Sequence, residues 1–384
     1  MKPKLIRITT VPISLKILLQ DQLKFMNQYF EVLGVSSGGK ELADVKQDEG
    51  IRTIELDMSR EITPIKDLIS LVKMIRLFLK EKPDIVHTHT PKAGIVGMVA
   101  AYVTRVPYRL HTVAGLPVME ASGKKKKVLL MVEKITYLCA TQVYPNSYGL
   151  QEYISKNKLA DKKKLKVIGH GSSNGIDTLQ FNQTHKVLLE AEEIKKIYDL
   201  ENKFVFCFVG RVVKDKGINE LMYVFDKLSQ KYNNITLLIV GQLEDELDPI
   251  SISSHTILEN NPQIIYTGFQ RDIRPYLASS DCFVLPTYRE GFPNVVLQAC
   301  SMELPCIVTN INGCNEIIEH NKNGLIVKPK NNNELYSAMH KMVEEEELST
   351  QLSLNNRNDI IKKYDRKIFH QYLLEEYKKV LEND

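Results

Sequence analysis

The chain has 384 residues, 43% of them hydrophobic and 26% charged, a composition typical of globular proteins and not of disordered, fibrous or membrane-embedded ones. At roughly 150 residues per domain, this length predicts two domains that each bury a core. No stretch reaches the ~18 consecutive apolar residues of a membrane span, and the opening residues are too polar for a signal peptide, so we expect a cytosolic protein. Six cysteines, mostly in apolar runs without a CxxC pair, predict buried reduced thiols.

The net charge of +4 is divided unevenly along the chain. Residues 1–175 contain 28 Lys and Arg against 16 Asp and Glu, a difference of +12, whereas the remainder contains 23 against 31, a difference of −8. This asymmetry predicts that the first half faces an anionic partner. A solvated basic surface without a partner is the alternative.

Short apolar, β-branched runs alternate with segments of helical period, which is the pattern of parallel sheets covered by helices. The clearest helix is predicted within residues 62–83, with apolar residues at positions 65, 68, 69, 72, 75 and 79 and a terminating Pro83. In the first half, strands are predicted at residues 5–10, 30–37, 51–56, 84–90, 108–114, 142–147 and 165–169.

A polar, glycine-rich stretch at residues 169–185 interrupts the alternation and marks a domain boundary. We therefore predict two doubly wound, Rossmann-like α/β domains, residues 1–175 and 176–364, and a final helix, residues 365–384, that crosses back to the first domain. Such domains bind ligands at the carboxyl ends of their strands, here facing an interdomain cleft. In the second half, strands are predicted at residues 203–210, 235–241, 264–269, 281–287, 305–310 and 324–328.

Two cations follow the first strand of the second domain. Arg211 lies just past the strand end, and Lys216 lies five residues later, before a helix that starts near Ile218. Side-chain charge, exposed backbone N–H groups and the helix dipole together favour a diphosphate there. Unpaired surface cations are the alternative.

A second polar group follows the strand at residues 281–287. Glu290 lies in the loop, Pro293 is placed to open a helix over about 293–303, and Gln298 lies one turn beyond Asn294. A carboxylate and an amide at one strand end can hold hydroxyl groups at two places on an extended polyol ligand. A surface glutamate and a helix-face glutamine are the alternative.

These segments resemble a known family. GRVVKDKG, followed by EGFPNVVLQACSMELPCIVTNINGCNEII, is similar to the second domain of family 4 retaining glycosyltransferases of GT-B architecture. VIGHGSSNGIDTLQF, GFQRDIRPYLASSDCFVLPT and DIVHTHTPKAGIVGMVAA extend the likeness over most of residues 84–330. The resemblance is strongest to bacterial enzymes that assemble surface polysaccharides, such as capsule and O-antigen, on polyprenyl diphosphate carriers.

The resemblance implies transfer of a sugar, with retention of configuration, from a nucleotide sugar (here a UDP-sugar) to a lipid-linked acceptor, without a metal or a bound cofactor. It implies that Arg211 and Lys216 stabilise the departing diphosphate and that Glu290 orients the donor sugar. It also implies donor contacts from residues beside these strand ends, namely Gly210, Gly291, Phe292, Pro293, Asn294 and Gln298.

Two positions depart from the family pattern. Gln298 stands where relatives usually have a second glutamate, and its carbonyl oxygen can still accept a hydrogen bond from a ribose hydroxyl. Ala114 stands where many relatives have a histidine, while His111 lies three residues earlier, on the opposite strand face. His111 and Lys92 are retained as candidates on the acceptor side.

A basic, apolar helix is predicted in ASGKKKKVLLMVEKITYLCA, residues 121–140. Its lysines could hold the protein on the inner face of an anionic plasma membrane, each contributing about 1 kcal/mol. A buried helix with a lysine-rich start is the alternative. The lysines concerned are Lys124, Lys125, Lys126 and Lys127.

His87 and His89 share a strand face and could begin a metal site, but no third ligand is evident, so no metal is expected. Two other functions remain open. A sugar-nucleotide epimerase has the same architecture, although no pair of acid/base carboxylates is evident in the first domain. A non-catalytic nucleotide-sugar or polyanion binder is also conceivable, but the basic residues form no nucleic-acid-binding motif, so no nucleic acid is expected as a partner.

Overall fold

The chain forms two compact units, the first built from Met1–Gly175 with Arg366–Asp384 and the second from Ile176–Asp365. Asp365, which the sequence pattern assigns to the final helix, lies in the second unit, where its carboxylate accepts a hydrogen bond from the Thr178 hydroxyl at 2.5 Å. The computed structural model describes residues 2–59, 63–119, 121–246, 248–354 and 356–382.

Each unit contains one parallel sheet, with six strands among the described residues. The strands are β1 Lys4–Ile8, β2 Glu31–Ser36, β3 Arg52–Glu55, β4 Ile85–His89, β5 Tyr108–Val113, β6 Gln142–Pro145, β7 Phe204–Val209, β8 Ile235–Val240, β9 Ile264–Gly268, β10 Cys282–Leu285, β11 Cys306–Thr309 and β12 Gly324–Val327.

Both sheets have the strand order of doubly wound nucleotide-binding domains. The order is β3-β2-β1-β4-β5-β6 in the first sheet and β12-β11-β10-β7-β8-β9 in the second. The order therefore reverses between β1 and β4 in one unit and between β7 and β10 in the other. These switch points are where open α/β sheets bind ligands, and the prediction of two doubly wound domains is confirmed.

The described helices, in chain order, are α1 Pro12–Leu18, α2 Gln22–Met26, α3 Lys40–Glu49, α4 Pro64–Glu81, α5 Pro91–Val103, α6 Gly123–Cys139, α7 Tyr148–Lys156, α8 His185–Ile197, α9 Ile218–Ser229, α10 Ile252–Asn260, α11 Arg274–Ala278, α12 Asn294–Ser301, α13 Cys314–Ile317, α14 Asn332–Glu344, α15 Glu346–Ser353, α16 Asn356–Tyr364 and α17 Arg366–Glu382. In both units the helices pack against the sheet. In the first unit, α4 to α7 pack on one face, and α1 to α3 with α17 pack on the other.

Every strand predicted from the apolar runs forms, except the one at residues 165–169. There, Leu165 makes a single isolated bridge to Val143, beside β6 at the edge of the sheet. The chain then turns away, and Ile168 packs into the core beside Phe369 of α17. The apolar residues of this segment are therefore used for packing under the final helix instead of extending the sheet.

Helix α17 belongs to the first unit and packs against one face of its sheet. Tyr377 is fully buried, and its hydroxyl lies 2.6 Å from Nδ1 of His87 on β4. Tyr144 on β6 donates a hydrogen bond to the Glu376 carboxylate at 3.2 Å. The last helix in the sequence therefore completes the core that the first strands begin.

Helix α4 forms as predicted, but its apolar stripe faces solvent. Ile65, Leu68 and Leu79 are 79%, 61% and 60% exposed, whereas Met74 and Phe78 are buried against the sheet. The periodic signal that predicted the helix is therefore a surface feature of this unit. None of the described helices combines the length and apolarity needed to span a bilayer. The six cysteines are buried as free thiols.

Candidate active site

The segment that leaves β7 carries the first predicted cation. Strand β7 has the sequence FVFCFV and is buried from Val205 to Val209, as expected for a central parallel strand. The next residue, Gly210, approaches Gly241 so closely that a Cβ on Gly241 would lie 1.7 Å from the Gly210 carbonyl oxygen. This contact requires glycine at position 241 and fixes the backbone from which the Arg211 side chain projects.

Lys216 and Glu290 are brought together by a second close approach. Lys216 ends a short 3-10 helix, and Gly217, with φ of +73°, leads into α9. A Cβ on Gly217 would lie 2.1 Å from the carbonyl oxygen of Pro286, just beyond β10. The loops after β7 and β10 therefore meet at the switch point of the second sheet. There, Nζ of Lys216 lies 2.5 Å from Oε1 of Glu290, and both side chains are largely buried.

Arg211 has a different carboxylate partner. Its Nη1 lies 3.0 Å from Oε2 of Glu244, in the loop after β8. The Arg211 side chain is 47% exposed, so solvent screens this pair more strongly than it screens Lys216 and Glu290. The sequence spacing indicates the two cations but does not reveal that each holds its own carboxylate.

Sequence reasoning missed the residues that position the Glu290 loop. The Asn312 side-chain amide donates hydrogen bonds to the backbone carbonyls of Glu290 and of Gly291, the latter at 3.3 Å. Gly313 packs against this loop, since a Cβ there would lie 2.8 Å from the Gly291 oxygen. Both residues fall inside the segment NINGCNEII, so the motif contains them without assigning a role to them.

A further ion pair, also missed from the sequence, ties the two loops together. Nη2 of Arg289 lies 2.7 Å from the Asp215 carboxylate, and the Tyr288 N–H donates to the Asp215 carbonyl at 2.8 Å. Burial, with hydrogen bonding to Glu220, raises the pKa of Tyr288 well above its ordinary value, so this hydroxyl stays neutral. These contacts fix the backbone on both sides of Lys216 and Glu290.

Helix α12 begins one residue later than predicted and ends at Ser301. Pro293 occupies the N-cap, Phe292 is buried, and Asn294 is exposed in the first turn. Gln298 lies one turn further on and is partly buried. Within the described part of the chain, no hydrogen bond engages its side-chain amide.

Comparison with known proteins identifies the family. The description "Glycosyl transferases group 1" matches residues 190–359, and "Glycosyl transferase 4-like" matches residues 16–147. The chain is 36% identical over 373 residues to the capsular polysaccharide biosynthesis glycosyltransferase CapM of Staphylococcus aureus, covering 96% of this chain and 95% of CapM. This chain belongs to the group 1 glycosyltransferases.

A second relative of this glycosyltransferase is the UDP-Gal:alpha-D-GlcNAc-diphosphoundecaprenol alpha-1,3-galactosyltransferase of Escherichia coli. The two are 30% identical over 90% of this chain and 88% of the relative. The crystal structure of Anabaena HepE in complex with UDP superposes with a TM-score of 0.82 at 18% identity, covering 99% of this chain and all of HepE. This likeness confirms the GT-B fold. Because the related sequences are glycosyltransferases, the epimerase alternative has less support.

The acceptor-side candidates of the glycosyltransferase lie in its first unit. Nζ of Lys92 is 2.5 Å from the Asp67 carboxylate, so the lysine charge is already balanced. His111 is only 3% exposed, and its Nδ1 lies 2.7 Å from the Thr88 hydroxyl. Burial lowers the pKa of His111 to about 4. This side chain is packed under α5, against Gly94, which corrects its assignment to an acceptor-facing or membrane-facing surface.

The four consecutive lysines occupy the first turns of α6, where three are exposed and Lys126 is partly buried. Met131 and Leu138 on the same helix are exposed as well. The opposite side of the helix is packed, since Tyr137 and Cys139 are buried in the core. The basic and apolar surface expected from the sequence is present.

His87 and His89 do share one face of β4, and their rings stack with centroids 4.5 Å apart. His87 contacts the hydroxyls of Tyr377 and Thr112, and Nε2 of His89 lies 2.7 Å from the buried Arg7 guanidinium. Burial lowers the pKa of both imidazoles well below the ordinary value. Over the described ranges, no group of three or more His, Cys, Asp and Glu is arranged to hold a metal.

Proposed function

We propose that this glycosyltransferase moves a sugar, with retention of configuration, from a UDP-sugar to a glycan carried on polyprenyl diphosphate during bacterial surface polysaccharide synthesis. The observation that carries the proposal is the Lys216–Glu290 pair at the switch point of the second sheet. A cation for a diphosphate and a carboxylate for sugar hydroxyls lie in direct contact there, at the place where open α/β sheets bind ligands.

The chemistry follows from these charges. The bond between the anomeric carbon and the diphosphate oxygen breaks, and the acceptor hydroxyl attacks from the same face while its proton passes to the departing phosphate. Negative charge grows on the diphosphate, so Lys216 and Arg211 stabilise the transition state more than the ground state. Glu290 orients the sugar hydroxyls, backbone N–H groups from Gly291 to Asn294 meet the sugar or phosphate, and Gln298 accepts from the ribose.

The nature of the substrates is supported by the relatives. The name of the Escherichia coli enzyme states a UDP-sugar donor and a diphosphoundecaprenol acceptor, at 30% identity over most of both chains. The basic charge of the first unit suits an anionic lipid carrier. The exposed lysines and apolar residues of α6 suit peripheral attachment to the inner face of an anionic plasma membrane.

A turnover assay with a panel of UDP-sugars, with and without bacterial lipid extract, tests this proposal. We expect transfer of label from one donor to the lipid fraction, at a rate that excess EDTA leaves unchanged because no metal takes part. Epimerised donor without transfer would contradict the proposal and support the epimerase alternative. Absence of turnover with every donor would favour the non-catalytic alternative.

A further inference from the structure

The carboxylate that holds Arg211 is presented by a loop whose backbone is fixed. Glu244 lies in the loop after β8, and its neighbour Leu243 forms an isolated parallel bridge with Val212. The Leu243 N–H also donates a hydrogen bond to the hydroxyl of Tyr266 on β9, at 3.1 Å. The residues next to Arg211 and Glu244 are therefore paired with each other, so the contact between the two side chains is set by the backbone.

Glu244 occupies the cation that the proposed mechanism assigns to the donor diphosphate. Nη1 of Arg211 lies 3.0 Å from Oε2 of Glu244, whose side chain is only 25% exposed. A diphosphate that binds Arg211 therefore has to displace Glu244. The displaced carboxylate stays beside the ligand, because the bridge holds its backbone, and like charges repel. Glu244 thus opposes a bound anion both by competition and by repulsion.

The other carboxylates near this place have a use that Glu244 lacks. Glu290 is assigned to the hydroxyls of the sugar. Asp215 ties two loops together through Arg289. Glu244 has no assigned group on the donor, and its position against a phosphate-binding cation weakens binding of the nucleotide. Such an arrangement is useful where a bound anion has to leave.

Under the proposed function, the reaction raises the negative charge of the bound nucleotide. The outer phosphate of the donor is esterified to the sugar, whereas in UDP it is terminal and ionises a second time at about pH 6. UDP therefore carries about one negative charge more than the donor near neutral pH. Arg211 and Lys216 hold this product more tightly than the donor, and product release limits the rate of many enzymes.

We propose that Glu244 is a positioning residue that takes Arg211 back from the diphosphate after sugar transfer and so speeds the release of UDP. The inference rests on the proposed function, which supplies the UDP-sugar donor. No covalent bond changes in this step, because Arg211 only exchanges one anionic partner for another. The repulsion from Glu244 acts more strongly on UDP than on the donor, since UDP carries the larger charge.

Stopped-flow displacement of a fluorescent UDP analogue, with calorimetry of UDP itself, tests this role. Glu244→Gln keeps the shape of the side chain but removes its charge. The dissociation rate and the dissociation constant of UDP should both fall about fivefold, the upper end of what a solvent-screened ion pair contributes. The donor KM should fall less than the dissociation constant of UDP. A residue with a purely structural role would weaken binding instead.

The matched control is Glu246→Gln, which removes the same charge from the same loop. Glu246 is exposed, and no ion pair engages it in the described part of the chain. Its replacement should therefore change UDP release less than about twofold. A double-mutant cycle gives a second control, because Glu244→Gln should have little effect once Arg211→Ala has removed its partner.

Unchanged or faster UDP release in the folded Glu244→Gln variant would overturn the inference, and equal unfolding temperatures establish that the variants are folded. Equal slowing in Glu246→Gln, or the same slowing in the Arg211→Ala background, would also overturn it. The proposed function is judged separately. A native protein that binds no UDP and transfers no sugar removes the proposed function, whereas transfer with unaffected release in the variant removes this inference alone.

Discussion

The cations at the carboxyl end of β7 differ in how firmly their partners hold them. Lys216 and Glu290 are mostly shielded from solvent, whereas Arg211 reaches Glu244 from a half-exposed position. An exposed pair is screened and contributes about 0–1 kcal/mol, so Arg211 can leave Glu244 for a ligand phosphate at little cost. Lys216 is the more rigidly positioned of the two, because its side chain is largely buried in contact with Glu290.

Replacing Arg211 or Lys216 by Ala should reduce turnover by about 10²-fold or more, which is comparable with losing one preorganised transition-state donor. The physical reason is that diphosphate charge develops as the glycosidic bond breaks. Steady-state kcat of the two variants, with an unchanged unfolding temperature as control, checks this. Near-normal turnover in both folded variants would remove their assigned role.

Gln298 offers a test of ribose binding. Gln298→Leu removes an acceptor and leaves ribose hydroxyls unpaired, at a cost of about 1 to 3 kcal/mol. Gln298→Glu would make the same hydrogen bonds charge-assisted and roughly twice as strong. Because the ribose is remote from the breaking bond, both changes should act mainly on the donor KM. An unchanged donor KM in Gln298→Leu would exclude this role.

Glu290→Gln should show the opposite kinetic pattern, with kcat falling more than KM rises. Its carboxylate is assigned to the reacting sugar, where its hydrogen bonds strengthen towards the transition state. The substitution also leaves Lys216 without its charge partner, so the unfolding temperature must be measured beside kcat and KM. An unchanged kcat would show that Glu290 has no part in orienting the sugar.

At the scale of elements, helices α4, α5 and α6 lie side by side on one face of the first sheet and each leaves apolar side chains exposed. The exposed residues include Tyr102 and Val103 on α5 and Met131 and Leu138 on α6. Contiguous apolar area on a protein surface usually marks a binding surface. Under the proposed membrane attachment, the lysines at the start of α6 would supply the charge that attracts an anionic bilayer.

Replacing Lys124 to Lys127 with Gln should weaken binding to anionic liposomes and make the remaining binding less sensitive to salt. Affinity for UDP should not change, because the lysines lie in the first unit and the donor site is assigned to the second. Liposome co-sedimentation over a range of NaCl concentrations, with UDP titration as control, measures both. Absence of liposome binding by the native protein would exclude the membrane attachment.

At the scale of the whole molecule, the two units differ in how they should respond to acid. The histidines whose pKa is lowered by burial are His87, His89, His111 and His370, and all belong to the first unit. Burial lowers the pKa of His370 to about 3, and the nearby cations Arg366 and Arg7 lower it as well. Protonating any of the four would place a charge in a core with little water.

The first unit should therefore lose stability as the pH falls below about 6.5, where unfolded histidine begins to bind a proton. Between that value and the folded pKa, the unfolded chain binds more protons, so each such histidine lowers the free energy of unfolding by about 1.4 kcal/mol per pH unit. Calorimetry at pH 7.5 and 5.0, with hydrogen exchange of β4 and β7, measures this. Equal acid sensitivity of both units would contradict it.

The sequence by itself determined the α/β class, nearly all strands and the types of side chain at the proposed donor site. Continuous apolar runs in parallel strands and 3.6-residue periodicity in helices are local signals, and both can be read without tertiary information. Arg211, Lys216, Glu290 and Gln298 could be found because each follows a strand that is evident from its own residues. The family motifs support the assignment of these four residues to the site.

Only the tertiary structure decided which charges meet and which apolar residues face outwards. Lys216 reaches Glu290, and Arg211 reaches Glu244, because strand order brings the loops after β7, β8 and β10 together, and strand order depends on pairing between distant segments. Likewise, residues 165–169 looked like a strand, and the burial of the acceptor-side candidate His111 under α5 could not be read from its strand position. Periodicity marks the apolar side of α4, but whether that side meets the core or solvent depends on the remaining fold.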